Sequence, residues 1–531
     1  MSGSGARSGS ITYHKICAVR KSADIASVVL IALAMLRIAS TWTLFSATVD
    51  EPMHLAAGLQ IYTQHDYSYQ PENPPLPRLV NAFAPWLGGV EFDPAKSVNE
   101  QLLHVFYSKH RYQTNLVLAR CGNLLFFVFA SLATWWWARR ELGPRGGLIA
   151  TLLFTMQPVI VAHSGLGTTD TAATAGVALS LLAFHRWLER PSNARAIVFG
   201  AAYAVAVLCK FSAIGYVPAA CVAMYMVRLL RDEETRRAWK RIAPSFALAA
   251  VTCAFVIWAG YGFAVDRLGF LEHVSSNSFI ARHADWPLPA HRFFVGISAL
   301  MYLTTLPFFG FAFGKISPHG WWWYFPVALA LKSTLASLLL GLGAFFARRE
   351  RVAAEALAAA LAILAVSLTS PFALGVRYVM PIYAPLSVAG AAAAITMLRH
   401  HRLKIAAIVL LAWHAVVSIA SHPDTLAYFN EAAGPRPWQL LLDSNIDWGQ
   451  DVLRLKRVAD KKKIDRLGIS VPGWHDYDAL GLPPHYEIQR DVPSSGWIAV
   501  GEHNFGIVGY GWLRGRRYER VGKSIRLYYI P

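Results

Sequence analysis

The chain has 531 residues, 55% of them apolar and only 15% charged, with a mean hydropathy of +0.35. That balance excludes a disordered chain and an ordinary soluble enzyme, and it fits a polytopic α-helical membrane protein. The formal charge of +18 does not indicate a nucleic-acid partner, because most Lys and Arg lie in short loops between apolar runs, where orientation in a membrane accounts for them. The five cysteines have no metal-ligand spacing and none follows Cys253, so no disulfide framework is implied.

Taken in chain order, residues 1–23 are polar and basic and read as a cytoplasmic tail. Apolar runs of about 20 residues, the length that crosses a bilayer core, occupy 24–46, 114–138, 146–165, 169–187, 194–209, 211–230, 243–264, 323–346, 352–370, 376–397 and 403–421. A twelfth apolar stretch, 293–313, is read as re-entrant or interfacial. Counting it as a span would throw the basic clusters Arg348–Arg351 and Arg399–Lys404 to the outside, against the positive-inside tendency. The expected architecture is therefore about 11 transmembrane helices over 24–421, a long first external loop at 47–113, and an extracytoplasmic α/β domain at 422–531. Within that domain 447–463 has helical spacing with Asp447 as its cap, while RLGISV, HYEIQ, GWIAVG and SIRLYYI read as strands.

The first loop opens with two acids where an apolar run meets water: Asp50 and Glu51, followed by Pro52, His54 and the turn Glu72-Asn73-Pro74-Pro75. An acid before a proline is a good helix cap, which accounts for one acid and leaves the other unexplained. Asp170, in GTTDTAATAG, has the same capping reading. Two cations, Lys210 and Arg377, fall on the expected outer side, where positive charge is disfavoured; each calls for an anionic partner, either an acid or a lipid phosphate. The groups Trp135–Trp137 and Trp321–Tyr324 read as interfacial anchors. Asp443, Asn445, Asp447 and Asp451 alternate like a calcium loop, but Trp448 stands at the position that needs glycine and Arg454 where a glutamate is needed, so a turn cluster is the better account.

The order Asp50-Glu51, E-N-P-P-L, T-T-D, a lone external lysine and G-V-R-Y-V-x-P resembles the GT-C superfamily of membrane glycosyltransferases, which includes protein O-mannosyltransferases and lipid A aminoarabinose transferases. The resemblance covers roughly 24–420, and the tail is similar to that of a bacterial branch of these enzymes. It implies a polyprenyl-phosphate-linked sugar as donor and a lipid, glycan or protein acceptor, with inverting transfer on the outer face of the bacterial inner membrane. Asp50 is then the catalytic carboxylate with Glu51 beside it. Asp170 lines the same cavity, with His54 facing the acceptor or the donor sugar. Lys210 and Arg377 hold the carrier phosphate. The position of Asn73 is often Lys or His in relatives, so from that loop only a neutral hydrogen bond is available. A divalent cation could help neutralise phosphate, although no ligand set stands out. Two other readings fit the composition: a transporter or lipid flippase, and a ligase or polymerase with a diphosphate-linked donor. Transporters concentrate polar groups near the midplane, whereas here they gather at one face.

Overall fold

The computed structural model describes residues 5–231, 233–268 and 285–531; part of the stretch read as an external loop between 265 and 322 lies outside them. Ten helices make up the first half: α1 (Gly5–Ala39), α2 (Glu51–Gln64), α3 (Pro75–Leu87), α4 (Val98–Tyr107), α5 (Tyr112–Thr155), α6 (Pro158–Ser164), α7 (Asp170–Glu189), α8 (Asn193–Cys209), α9 (Ala213–Arg231) and α10 (Glu233–Gly260). Each of the eleven apolar runs falls on a helix. Among the described residues five helices are long and apolar enough to cross a membrane, and counting the pair Tyr324–Lys332 and Leu335–Gly343, bent by 113°, as one broken span gives six. The remaining runs form shorter or more polar helices, so the expected count of about 11 exceeds what length and hydropathy alone support.

The 44-residue α5 carries two of the runs. Gly143 (φ 77°, ψ −178°), followed by Pro144, breaks it into two helices, since glycine tolerates positive φ and proline removes a ladder donor. The stretch 293–313 forms a 13-residue helix, His291–Leu303, which then enters a hairpin. At 1.5 Å per residue that helix reaches about 20 Å, too short to cross.

Strands β1 (Val265–Arg267) and β2 (Pro287–Pro289) pair antiparallel, as do β3 (Gly310–Ala312) and β4 (Lys315–Ser317). The C-terminal region holds a five-stranded sheet in the order β6-β5-β7-β9-β8, from β5 (Leu467–Ser470), β6 (His485–Glu487), β7 (Gly496–Gly501), β8 (Tyr518–Val521) and β9 (Ile525–Ile530). Four are the strands expected from the sequence, and β8 is added. The helix Val452–Lys462 has Asp451 rather than Asp447 at its N-cap. Asp447 instead accepts from the Gly449 and His503 backbone amides, tying the turn to the end of β7.

This region is not a detached domain. Val452, Leu455, Leu467, Ile469 and Leu527 belong to one buried cluster with Leu55, Leu59, Val105, Phe106 and Leu116, so α2, α4, α5 and the sheet share a core. The Ser46 and Val49 amides bond the Gln450 and Trp448 carbonyls at 2.9 and 3.1 Å, and Ala312 bridges Leu441. Two aromatic expectations are corrected: Trp137 is buried against His185, and Tyr324 is buried with its hydroxyl accepting from Asn445. Each ring fills core space beside a polar partner.

Helices α2 and α3 pack so closely at Gly58 that a Cβ there would stand 2.3 Å from the Arg78 carbonyl oxygen and 2.6 Å from the Ala82 methyl. Alanine normally favours a helix over glycine by about 1 kcal/mol, but backbone cannot yield as a side chain can. Gly58→Ala is expected to destabilise by about 1–3 kcal/mol, measured as a lower melting temperature of the purified protein.

Candidate active site

Asp50, Asp170, Lys210 and Arg377 come from four separate parts of the chain and form one charged chain. The Arg377 Nη1 donates to Asp50 Oδ2 at 2.7 Å and lies 3.6 Å from Asp170 Oδ2. Lys210 Nζ donates to Asp170 Oδ1 at 2.5 Å. Two carboxylates and two cations therefore balance. Lys210 also sits 4.6 Å from the Tyr378 ring centre, and the Arg377 guanidinium lies 4.2 Å above the Trp448 ring, arrangements in which the ring face attracts the cation.

Neither acid caps its helix. Asp50 occupies the N-cap of α2 in a helical conformation (φ −86°, ψ −19°) and makes no side-chain cap bond; its carboxylate is taken by Arg377. Asp170 is the first residue of α7, whose N-cap, Thr169, likewise makes no side-chain cap bond. The two acids differ in access: the Asp50 side chain is 24% exposed and Asp170 not at all.

Glu51 points elsewhere. Its two oxygens accept from Arg120 Nε and Nη2, both at 2.8 Å. Oε1 also accepts from the Gly167 amide and Oε2 from the Thr48 amide, again at 2.8 Å each. Burial raises the pKa of this carboxyl, but Arg120 and the two amides outweigh it, and the group is held below its ordinary value. Arg120 further donates to the carbonyls of Trp42, Phe45 and Ser46. The pair thus joins the exit of α1, the start of α2, the third turn of α5 and the turn leading to Asp170.

Arg377 is aimed by its own neighbours. Gly375 has φ 134°, and a Cβ there would meet Ser444 Oγ at 2.1 Å, so only glycine lets the chain turn into Val376. The Val376 amide donates to Asn445 Oδ1 at 3.1 Å. The buried Lys332 holds the Asn445 and Leu426 carbonyls at 2.5 and 2.8 Å. The loop bearing Asn445 continues to Trp448, which covers Arg377 and meets His163 edge-on, ring centres 5.9 Å apart.

His54 is buried on α2 with Nδ1 unpartnered. Burial, then the charge of Arg78, pushes its pKa down to about 4, against the opposing pull of Asp50 and Asp170, so it is neutral at pH 7. Asn73 lines a cleft with Arg78, Tyr69 and Arg292, and its amide donates to Glu72. Among the described residues, one group could converge on a metal ion: Glu141, His185 and Glu189. It lies at the other end of α7 from Asp170, fifteen residues or about 22 Å away, and Arg140, Arg186 and Arg351 already face its acids.

Sequence reasoning missed Arg120, Arg78 and Trp448. The first two were findable: each is a lone cation inside an apolar stretch, costly unless something answers its charge. Trp448 carried no such signal.

Residues 113–259 match the family model described as dolichyl-phosphate-mannose-protein mannosyltransferase. No curated protein matches the chain. Its fold is similar to that of ArnT from Cupriavidus metallidurans in the apo state, with a TM-score of 0.53 and 13% identity over 94% of this chain and 97% of that one. The same protein bound to undecaprenyl phosphate gives a TM-score of 0.51 at 13% identity and the same coverage. The chain thus has the fold of ArnT along nearly its whole length, and residues 113–259 match a mannosyltransferase family model.

Removing one partner of a buried ion pair strands the other. Arg120→Met is expected to cost about 3–5 kcal/mol. The double variant Glu51→Leu/Arg120→Met should recover only part, because three carbonyls still lose their donor; thermal unfolding of both variants checks this.

Proposed function

We propose that the protein transfers a sugar, with inversion, from a polyprenyl-phosphate carrier to a hydroxyl of a lipid, glycan or protein acceptor. The site opens on the outer face of the bacterial inner membrane, the N-terminus is cytoplasmic, and the region from 422 onward is extracytoplasmic. Support comes from the family match and from the shared fold with ArnT, a protein seen bound to undecaprenyl phosphate.

The observation that carries the reading is the difference between the acids. A base must touch the acceptor. Of Asp50, Glu51 and Asp170, only Asp50 has an exposed part, and one of its oxygens lies outside the Arg377 bond. Asp50 is the general base. Glu51 is a positioning residue that fixes the backbone carrying Asp50. Asp170 holds Lys210 and helps orient Arg377, and His54 presents a neutral nitrogen towards the sugar or the acceptor.

In the reaction the acceptor oxygen attacks the anomeric carbon and its proton passes to Asp50, while the bond from that carbon to the phosphate oxygen breaks. The donor phosphodiester carries one negative charge and the released monoester two, so charge moves from Asp50 to the phosphate. As Asp50 is neutralised, Arg377 loses the nearer of its two carboxylates at the moment the second phosphate charge develops. A fixed cation released in this way stabilises the transition state without reorganisation. Lys210 adds to the field, and Asn73 offers a neutral donor at the rim. The phosphate is a good leaving group, so no general acid is required. A divalent cation is not assigned to this site.

Asp50→Asn is expected to lower transfer from a polyprenyl-phosphate sugar by about 10²–10⁴-fold while the protein still folds; full activity would contradict the assignment. Arg377→Gln should lower kcat more than it raises KM, because its charge is needed chiefly in the transition state. Steady-state kinetics with varied donor separates the two.

A further inference from the structure

From Leu441 to Val452 every residue is buried except Asp443. Its backbone is held in the left-handed region, with φ 58°, which costs a residue with a side chain but is tolerated by Asp better than by most. The conformation is locked from both sides. The Asp443 carbonyl accepts from the Ile446 and Asp447 amides at 2.9 and 3.0 Å. Ser444 Oγ donates to the Leu374 carbonyl at 2.5 Å, and Asn445 Oδ1 accepts from the Val376 amide at 3.1 Å. Asp443 is therefore fixed beside the segment that carries Arg377.

Its carboxylate is only half used. Oδ1 accepts from the Ser444 amide at 2.6 Å. Among the described residues the basic group within ion-pair distance is His503, whose Nδ1 stands 3.8 Å from Oδ2, too far for a hydrogen bond. That Nδ1 is buried and has no partner of its own. Both side chains keep about a quarter of their surface open, 23% for Asp443 and 24% for His503. The charge of Asp443 is felt by Arg377, Tyr378 and Tyr324. Two partly open carboxylates thus act on Arg377, Asp50 by contact and Asp443 by charge alone.

Charge and reach restrict what the open oxygen can bind. Asp50 and Asp170 are matched by Arg377 and Lys210, and Asp443 adds an unmatched negative charge to the same neighbourhood. An open carboxylate repels phosphate and accepts only from N–H or O–H donors. In a lipid-linked donor the hydroxyls nearest the phosphate are those of the sugar it carries. We infer that Asp443, with His503 beside it, reads hydroxyls of the transferred sugar. The inference rests on the donor class proposed above and deepens it: Arg377 and Lys210 face the carrier phosphate, and a residue of the C-terminal region sets which sugar is accepted. A site built to bond a hydroxyl rejects an analogue that misplaces it, because the site's own polar group is then left unpaired.

The test is binding of four lipids to the full-length protein in nanodiscs: undecaprenyl phosphate and its glucosyl, galactosyl and mannosyl derivatives. The wild type is expected to bind one sugar-bearing lipid about tenfold more tightly than the bare carrier, the worth of one hydrogen bond to a charged group, and to prefer it over an epimer. Asp443→Gly removes the side chain and suits the left-handed backbone. It should abolish the preference while affinity for bare undecaprenyl phosphate stays within about twofold. Asp443→Asn, which keeps an acceptor but loses the charge, should lose about threefold of the preference, and His503→Ala about as much. An Asp443→Gly protein that keeps the wild-type preference overturns the inference and leaves the donor class standing. So does an equal loss for bare and sugar-bearing carriers, which would make Asp443 a partner of Arg377 and not of the sugar. Wild-type protein that binds all four lipids alike overturns the sugar contact; protein that binds none of them overturns the donor class and the inference with it. If Asp443→Gly does not fold, the other two variants decide: wild-type preference in both overturns the inference.

Discussion

The structure depends on the ion pair between Arg120 and Glu51. Both side chains are inaccessible, and every strong acceptor position on Glu51 is filled. Desolvating two charges costs several kcal/mol each, so such a pair is worth keeping only where geometry matters more than stability. Here it does. Glu51 is adjacent to Asp50, and Gly167, which donates to it, stands three residues before Asp170. One carboxylate thus sets Asp50, at the N-cap of α2, and Asp170, at the start of α7, in a fixed relation. Arg120 does the same for the exit of α1 through three carbonyls.

A second constraint comes from the C-terminal end of the chain. Asn445, gripped by Lys332, receives the Val376 amide and so places the residue before Arg377. Trp448 lies over the guanidinium. The site is therefore closed by a segment more than three hundred residues from Asp50 in sequence, and the core shared between the sheet and α2 prevents that segment from moving independently. A wall of this kind shields the Arg377 guanidinium from water while Asp50 stays partly open, and electrostatic effects gain strength as the local dielectric falls.

Much of the fold was legible because hydrophobic run length and strand spacing are local signals: every apolar run became a helix, and four of the five C-terminal strands were visible. The charged residues of the candidate site were legible for a related reason. Asp50, Asp170, Lys210 and Arg377 each break an apolar pattern at the end of a run. Their pairing was not legible, since a capping acid and an ion-paired acid look alike in one dimension; Asp50 has the N-cap position and gives its carboxylate to Arg377 instead. The equivalence of Asp50 and Glu51 in the sequence also conceals a physical difference, because adjacent helix residues face different ways and one is buried while the other reaches solvent. Trp448 stood in what resembled a turn cluster, and only the tertiary fold brings it to Arg377.

The account reduces to charge balance: two acids, Asp50 and Asp170, matched by two cations, Arg377 and Lys210. The most direct measurement is a structure of the full-length protein with undecaprenyl phosphate bound at high occupancy. The account predicts the phosphate on the Arg377 side of the cavity, with Asp50 still beside Arg377 and its free oxygen facing the open cavity. A phosphate bound away from Arg377 and Lys210, with Asp50 closed off from the cavity, would contradict it.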